Sequence, residues 1–114
     1  GRLHTILRNL ITNAVKYRKK ETIGAFVKLV FTRTGNRFAI TVSDNGQGIA
    51  SKSMEKVFDM FYRATSAAPG TGLGLYICKE MLEKMGAEFK LDSTEGQGTS
   101  FTFSLEQAPN VASL

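Results

Sequence analysis

The order of two hydrophobic periodicities constrains this 114-residue chain more than any other feature of its sequence. Apolar residues recur either at helical spacing or in strict alternation with polar ones, which are the signatures of helices and half-buried strands. In chain order the segments are helical at 3–17, alternating at 25–31 and 38–42, helical around 57–62 and at 73–85, and alternating at 87–91 and 101–105. This order predicts an α+β two-layer sandwich in which three helices cover one face of a mixed, mostly antiparallel sheet.

Length and composition restrict the chain to one globular domain. A hydrophobic fraction of 42% suffices for a packed core, and we expect residues 1–106 to form the domain and 107–114 a flexible tail. The abrupt helical start is typical of a fragment of a longer protein. Fifteen Lys and Arg against ten Asp and Glu give a net charge of +5, which favours a phosphate-bearing partner. A single cysteine excludes a disulfide framework, and no apolar run approaches the roughly 20 residues of a membrane span.

The first predicted helix carries a polar stripe formed by Asn9, Asn13 and Lys16. Spacings of four and three residues put these side chains on one face of a helix. Asparagine is a poor helix former, so two of them in mid-helix call for an explanation. From these residues alone, two interpretations stay open. The stripe is either a solvated face, or a place where an amide oxygen binds a hard cation while Lys16 neutralises a phosphate.

Three glycine-rich segments lie next to predicted elements. Asp-Asn-Gly-Gln-Gly-Ile at 44–49 follows a strand, Gly-Thr-Gly-Leu-Gly-Leu at 70–75 opens a helix, and Gly-Gln-Gly-Thr at 96–99 precedes the last strand. A strand-end carboxylate can accept a hydrogen bond from an exocyclic amine, and a helix N-terminus favours a phosphate. Each segment alone is also consistent with an ordinary turn. The segment at 70–75 is neither a Rossmann fingerprint nor a P-loop, because no strand runs into it and no Gly-Lys-Ser/Thr follows.

Over residues 3–105 the chain resembles the ATP-binding domain of bacterial sensor histidine kinases. These domains have the Bergerat fold, which they share with gyrase, Hsp90 and MutL. Five motifs carry the resemblance, in this order: Asn-x3-Asn-Ala-x-Lys-Tyr, Asp-Asn-Gly-x-Gly-Ile, Val-Phe-x-x-Phe-Tyr-Arg, Gly-Thr-Gly-Leu-Gly-Leu and Gly-x-Gly-Thr-x-Phe. The family's domain usually begins with a further strand before the first helix. Two explanations of its absence stay open here, an unpaired edge of the sheet and a segment that has been cut away.

The resemblance implies ATP and Mg²⁺ as ligands and assigns roles to individual residues. It implies that Asn13 ligates Mg²⁺, that Asp44 binds the adenine amino group, and that the catalytic residues are Asn9, Lys16 and Arg63. The residues that it implies for nucleotide binding are Asn13, Lys16, Tyr17, Asp44, Gly46, Gly48, Ile49, Tyr62, Arg63, Thr71, Gly72, Leu73, Gly74, Leu75 and Thr99.

Within this superfamily the sequence favours a kinase over an ATPase. The ATPase relatives place a Glu one turn before the metal-binding Asn, where it activates water. Here that position is Asn9, and residues 1–20 contain no Asp or Glu. A neutral amide cannot act as a general base, whereas positioning and electrostatics suffice for phosphoryl transfer to a protein nucleophile. The only histidine, His4, lacks the sequence that follows the phosphoacceptor in this family.

The expected function is therefore transfer of the γ-phosphoryl of Mg-ATP to a histidine on a separate dimerisation domain, with a response-regulator receiver domain as an indirect partner. We expect no binding of nucleic acid, no membrane contact by this domain, a monomeric state in isolation, and a cytoplasmic location, with the parent protein a candidate for anchoring in the inner membrane. Two alternatives of the same fold stay open, an anti-sigma-type Ser/Thr protein kinase and a non-catalytic nucleotide-sensing domain.

Overall fold

The computed structural model describes residues 1–20, 23–59 and 74–106. Within these ranges two α-helices, one short 3-10 turn and four strands alternate in the predicted order. The elements are α1 (Arg2–Lys16), β1 (Val27–Thr34), β2 (Arg37–Asp44), the 3-10 turn (Ser51–Ser53), α2 (Gly74–Lys84), β3 (Glu88–Thr94) and β4 (Gly98–Leu105).

The four strands form one sheet in the order β1-β2-β4-β3, and each of the three pairings is antiparallel. The last strand of the chain thus lies in the middle of the sheet, next to β2. The register of that pairing puts Asp44, the last residue of β2, opposite Thr99 near the start of β4. Two segments that are more than fifty positions apart in the sequence therefore meet at one end of the sheet.

The core lies between the sheet and the two helices on one of its faces. The residues of α1 that are buried, Leu3, Ile6, Leu10 and Ala14, belong to the predicted apolar stripe. The core cluster also contains Ile40 and Val42 from β2, Cys78 and Leu82 from α2, and Phe101 and Phe103 from β4. The predicted α+β fold class is confirmed.

The C-terminus of α2 shows how local chemistry ends a helix. Gly86 has a positive φ of 70°, which a residue without Cβ adopts at little cost. Its N–H donates to the carbonyl of Glu83 at 3.1 Å, and the N–H of Ala87 donates to that of Leu82 at 3.0 Å. This pair of bonds is a Schellman motif, which ends the helix. Neither helix of the described residues is long and apolar enough to cross a membrane.

The prediction of a helix around 57–62 is wrong for the part that the structure describes. After the 3-10 turn the chain continues in turns as far as Phe58, and residues 60–62 lie outside the described ranges. Phe58 packs edge-on against Phe89 and Phe101, with ring centroids 5.8 and 6.1 Å apart. The apolar spacing thus reflects a few side chains that anchor an irregular segment on the sheet, because tertiary packing outweighs a short periodic pattern.

The alternating pattern of β1 also predicts more burial of its apolar side chains than the structure shows. Leu29 and Phe31 face the same side of the sheet as Val42 and Ile40, their partners in β2, yet both remain exposed. The cause is position, since β1 is an edge strand of the described sheet and the two helices cover the sheet centre. β1 and β3 are the two edge strands of the described sheet.

The buried centre and the exposed edge of the sheet predict different losses of folding stability when a phenylalanine is replaced by alanine. Phe103 is 1% exposed and Phe31 is 48% exposed, although both lie on the helix-facing side of the sheet. Phe103→Ala should lower the free energy of unfolding by about 3–5 kcal/mol, because it removes a fully buried ring and leaves a cavity. Phe31→Ala should cost about 1 kcal/mol or less, as partly exposed positions usually do. Urea denaturation measures both, and equal losses would contradict the assigned core.

Candidate functional site

The first residue of the candidate site is Asp44, the last residue of β2, which has a half-buried carboxylate. Its Oδ1 accepts a hydrogen bond of 2.8 Å from the N–H of Gly46, and the carboxylate also accepts one from the backbone N–H of Thr99. Desolvation by burial raises the pKa of Asp44 above its ordinary value, while these two backbone bonds oppose the rise. The carboxylate is thus fixed in direction and retains acceptor capacity for a further donor.

The loop after Asp44 lies against the end of α1. The N–H of Gln47 donates to the carbonyl of Tyr17 at 2.8 Å. At Gly46 a Cβ atom would lie 2.7 Å from that same carbonyl oxygen. A side chain at position 46 would therefore push the loop away from the helix, which explains the first glycine of the Gly-x-Gly pair.

Two further glycines permit close backbone contact with the β3–β4 hairpin. Gly48 and Gly98 have positive φ values of 71° and 134°. A Cβ at Gly48 would lie 2.1 Å from the carbonyl oxygen of Thr94, and one at Gly98 would lie 2.1 Å from that of Asp44. Both glycines of the sequence motifs thus serve contact between chain segments. This contact closes the loop over the end of the sheet.

Ser93, which is not among the predicted site residues, joins the same segments through its hydroxyl group. Its Oγ accepts from the N–H of Ile49 at 2.8 Å, lies 3.0 Å from the carbonyl oxygen of Gly98, and lies 2.8 Å from Oγ1 of Thr99. Because a hydroxyl has one proton, donation to Gly98 requires that Thr99 donate to Ser93. The feature that points to Ser93 is the register of the β3–β4 pairing, which places it opposite Thr99 across the hairpin.

Two other polar residues outside the predicted set also hold the loop. Asn45 accepts from the N–H of Phe26 at 2.9 Å and donates to the carbonyl of Gly24 at 3.2 Å. It therefore fixes the segment that enters β1. Lys19, just beyond α1, donates from Nζ to the carbonyl of Gly96. Both contacts join segments far apart in the sequence, which single-sequence patterns do not reveal.

A second part of the site lies where α1 meets the start of α2. Asn13 Oδ1 would be 3.8 Å from a Cβ placed on Gly74, the first residue of α2. The unpaired N–H groups at a helix N-terminus carry partial positive charge and favour phosphate. Lys16, the last residue of α1, lies one turn beyond Asn13. The amide oxygen of Asn13 thus lies beside a helix N-terminus, and a lysine follows one turn later on the same helix. These are the residue types expected for a polyphosphate with its cation.

Most of the predicted residues that the structure describes fall into these two parts. The part around the Asp44 loop contains Tyr17, Asp44, Gly46, Gly48, Ile49 and Thr99, and the part around the α2 N-terminus contains Asn13, Lys16 and Gly74. Leu75 packs against the core cluster. Asn9 has a buried Nδ2 that forms no hydrogen bond of normal geometry within the described residues. The predicted residues that lie outside the described ranges are Tyr62, Arg63, Thr71, Gly72 and Leu73.

The donor set fits a cation that arrives together with phosphate. No group of three or more His, Cys, Asp or Glu side chains that could hold a metal occurs in the described part of the chain. Mg²⁺ requires six oxygen ligands, and in nucleotide sites it takes several from phosphates and water. The single amide oxygen of Asn13 beside a helix N-terminus suits that second case.

Comparison with known proteins identifies the family. The model of the family described as histidine kinase-, DNA gyrase B- and HSP90-like ATPases matches residues 1–109 of this chain. The chain belongs to this ATP-binding family. Its resemblance to histidine kinase domains, predicted from the five ordered motifs, is thereby confirmed.

Relatives within the family are sensor histidine kinases. The sensor histidine kinase WalK of Bacillus subtilis (strain 168) is 42% identical over 104 residues, which are 88% of this chain and 17% of WalK. The mycobacterial sensor histidine kinase MprB has a similar structure, with a TM-score of 0.76 and 27% identity over 91% of this chain and 69% of that one. Full-length ShkA in complex with AMPPNP matches with a TM-score of 0.75 and 32% identity, over 99% of this chain and 23% of that one. The chain thus spans about a sixth of the length of WalK.

The contact between Gly98 and Asp44 gives a prediction about the cost of a side chain at this position. Gly98→Ala would introduce a Cβ 2.1 Å from the carbonyl oxygen of Asp44 at a φ of 134°, whereas Gly96→Ala has a φ of 82° and meets nothing within 4 Å. Gly96→Ala should therefore cost about 1 kcal/mol from strain alone. Gly98→Ala should cost a further 1–3 kcal/mol or so, as overpacking does.

Urea denaturation of the two glycine variants measures these costs, and hydrogen exchange of the Gly46 and Thr99 amides reports on the loop. We expect faster exchange at both amides in Gly98→Ala only. Equal costs for the two variants would show that the close contact does not constrain the Asp44 loop.

Proposed function

We propose that this chain is the catalytic ATP-binding domain of a two-component sensor histidine kinase. In this proposal it binds Mg-ATP and transfers the γ-phosphoryl group to a histidine on a separate dimerisation domain. The observation that carries the proposal is the pairing of two sites on one scaffold. A half-buried, backbone-fixed carboxylate at Asp44 suits an exocyclic amine, and Asn13 beside the α2 N-terminus suits a cation-bound phosphate.

At the base end, Asp44 would accept a hydrogen bond from the adenine amino group. Oδ1 of the carboxylate already accepts from the N–H of Gly46. The remaining acceptor capacity of the carboxylate would therefore bind the adenine amino group. Ile49, whose N–H is fixed by Ser93, and Tyr17, at the end of α1, would border the base. Thr99 would support Asp44 through its backbone N–H.

At the phosphate end, Asn13 would ligate Mg²⁺ and Lys16 would neutralise phosphate charge. The N-terminus of α2 at Gly74 adds backbone donors and a favourable dipole. By resemblance to the family, Arg63, Thr71, Gly72 and Leu73 would complete the contacts to phosphate, and Tyr62 would lie near the base. The bound Mg-ATP supplies the transferable phosphoryl group and the cation that balances charge developing on its oxygens.

Transfer to a protein is favoured over hydrolysis because α1 supplies no base to activate water. The helix contains no Asp or Glu, and Asn9 occupies the position one turn before Asn13. An amide is neutral and does not accept a proton near pH 7, so the nucleophile must come activated from elsewhere. The chain's own residues would bind and orient the nucleotide, which accounts for most of the catalysis in phosphoryl transfer.

The partners follow from the same proposal. The chain spans 17% of the length of WalK, so a kinase of that kind has ample sequence for a dimerisation and phosphoacceptor domain. A response-regulator receiver domain would be the indirect partner, taking the phosphoryl group from the histidine. We further propose that this domain is monomeric in isolation and works in the cytoplasm.

Replacement of Asp44 by Asn tests the adenine assignment. Asparagine replaces one of the two carboxylate oxygens by an NH₂ group, so one of the two donors, the Gly46 N–H or the adenine amino group, then faces a donor instead of an acceptor. Asp44→Asn should weaken ATP binding about 10- to 100-fold, the usual effect of one unsatisfied buried polar group. It should also reduce the preference for ATP over inosine triphosphate, which presents a carbonyl where ATP presents its amino group. Titration calorimetry with both nucleotides measures the ratio.

The matched control is Asp92→Asn, which makes the same change of charge at an exposed position of β3. It should leave both affinities unchanged. An unaltered ratio of ATP to inosine triphosphate affinity in Asp44→Asn would refute the assignment of Asp44 to the base.

The isolated chain should bind ATP without phosphorylating itself. His4 lies nine residues before Asn13 on α1, which is about 14 Å along the helix axis and too far for direct transfer. Incubation with γ-labelled ATP at neutral pH should therefore leave no label on the protein, and His4→Gln should behave in the same way. Label on the unaltered chain that disappears in His4→Gln would contradict a separate phosphoacceptor domain.

A further inference from the structure

Three side chains form a row across the end of the sheet that carries Asp44. Thr99 of β4 pairs with Asp44 of β2 on one side and with Ser93 of β3 on the other. Directly paired residues of antiparallel strands point to the same face, with Cβ atoms about 4.5–5.5 Å apart. That face is the one covered by the helices, since Thr99 lies two residues before the core residue Phe101. The Thr99 side chain therefore stands in the row between those of Asp44 and Ser93.

The hydroxyl group of Ser93 has a partner for each of its hydrogen-bonding functions. Its Oγ accepts from the N–H of Ile49 at 2.8 Å and lies 3.0 Å from the carbonyl oxygen of Gly98, which can only accept. Oγ1 of Thr99 lies 2.8 Å away. If Ser93 donated to Thr99, the oxygens of Ser93 and Gly98 would face each other with no proton between them. The arrangement that satisfies every group therefore has Ser93 donating to Gly98 and Thr99 donating to Ser93.

This arrangement leaves the Thr99 hydroxyl as an acceptor toward any ligand beside Asp44. A threonine hydroxyl has one proton, and Thr99 uses it toward Ser93. Its lone pairs remain next to an ionised carboxylate, which also only accepts. Two neighbouring acceptors suit an exocyclic amine, because such a group has two N–H bonds to donate. The same two acceptors repel a carbonyl oxygen.

We propose that Ser93 is a positioning residue, which fixes the Thr99 hydroxyl as an acceptor and so makes the base site selective for an amino group over a carbonyl group. Ser93 does not itself touch the base. Its effect passes through the direction of one proton, that of the Thr99 hydroxyl. The inference rests on the proposed function for the identity of the ligand, and on the described contacts for the arrangement of Ser93 and Thr99.

The Ser93→Ala variant tests this role through the ratio of ATP to inosine triphosphate affinity. Without the Ser93 oxygen, the Thr99 hydroxyl loses its acceptor and can turn its proton toward the ligand, where it favours the carbonyl group of inosine. The ratio should fall about fivefold, the usual effect of one neutral hydrogen bond. Ser93→Thr keeps a hydroxyl group at this position and should retain the ratio. Titration calorimetry with both nucleotides measures it.

The ratio also separates positioning from a merely structural role. Ser93 holds the N–H of Ile49, so its loss should also loosen the loop that borders the base. That effect concerns packing against the purine ring, which both nucleotides share, and should weaken both alike. Lower affinity for both nucleotides with an unchanged ratio in Ser93→Ala would therefore overturn the positioning role.

Thr99→Val, which removes the hydroxyl at nearly constant volume, tests whether Ser93 acts through Thr99. It should lower the ratio, and Ser93→Ala should lower the ratio no further when added to Thr99→Val. The matched control is Ser100→Ala, since the Ser100 hydroxyl bonds to that of Ser43 at 2.9 Å on the opposite face of the sheet. It removes a contact of the same kind and should leave the ratio unchanged. Urea denaturation identifies a temperature at which every variant is folded.

The outcomes distinguish this inference from the proposed function. Additive falls in the ratio for Ser93→Ala and Thr99→Val, or an equal fall in Ser93→Thr or Ser100→Ala, would overturn the inference and leave ATP binding in place. Failure of the unaltered chain to bind ATP would overturn the proposed function, and this inference with it. A fall in Ser93→Ala, its absence in Ser93→Thr and no further fall in the double variant would support the positioning role.

Discussion

The close contact of three backbone segments at the end of the sheet is the constraint on which the candidate base site depends. The loop after β2 lies between the carbonyl of Tyr17, the C-cap residue of α1, and the β3–β4 hairpin. The distances exclude a Cβ at Gly46, Gly48 and Gly98. Because the β2–β4 register sets Asp44 opposite Thr99, the carboxylate receives backbone donors from its own loop and from the neighbouring strand. Its direction is thus set by main-chain donors.

Helix α1 connects this constraint to the core and to the phosphate end. One side of the helix buries Leu3, Ile6 and Leu10 against the sheet and α2, while Asn13 and Lys16 lie on its polar stripe. Any shift of the helix relative to the sheet would therefore disturb the packed core. The C-cap residue of the same helix is Tyr17, whose carbonyl accepts from the N–H of Gln47 in the Asp44 loop. Both parts of the site are fixed to one element, so their separation is determined by the core rather than by flexible loops.

The sequence predicted what depends on local pattern and missed what depends on sheet order and register. The α1 stripe and the four strands follow from periodicity rules, which act within one segment. The burial of Phe31 was overestimated because its exposure depends on β1 lying at the edge of the described sheet. Ser93 could not be identified without knowing that it pairs with Thr99. Asp44, Asn13 and the glycine segments were found because the order of their motifs is specific.

The energetics of Asp44 distinguish a site residue from a structural one. Burial raises its pKa in the folded chain above the value of 3.8 for an unperturbed carboxyl group, so the folded state binds this proton more tightly than the unfolded state. The ionised carboxylate therefore lowers the free energy of unfolding at pH values above that raised pKa, and the loss disappears as the pH falls below about 3.8. A carboxylate kept for structure would show the opposite sign, because partners in the fold would lower its pKa. At neutral pH, Asp44 is thus held in an environment that costs stability, as expected of an acceptor whose remaining partner is a ligand.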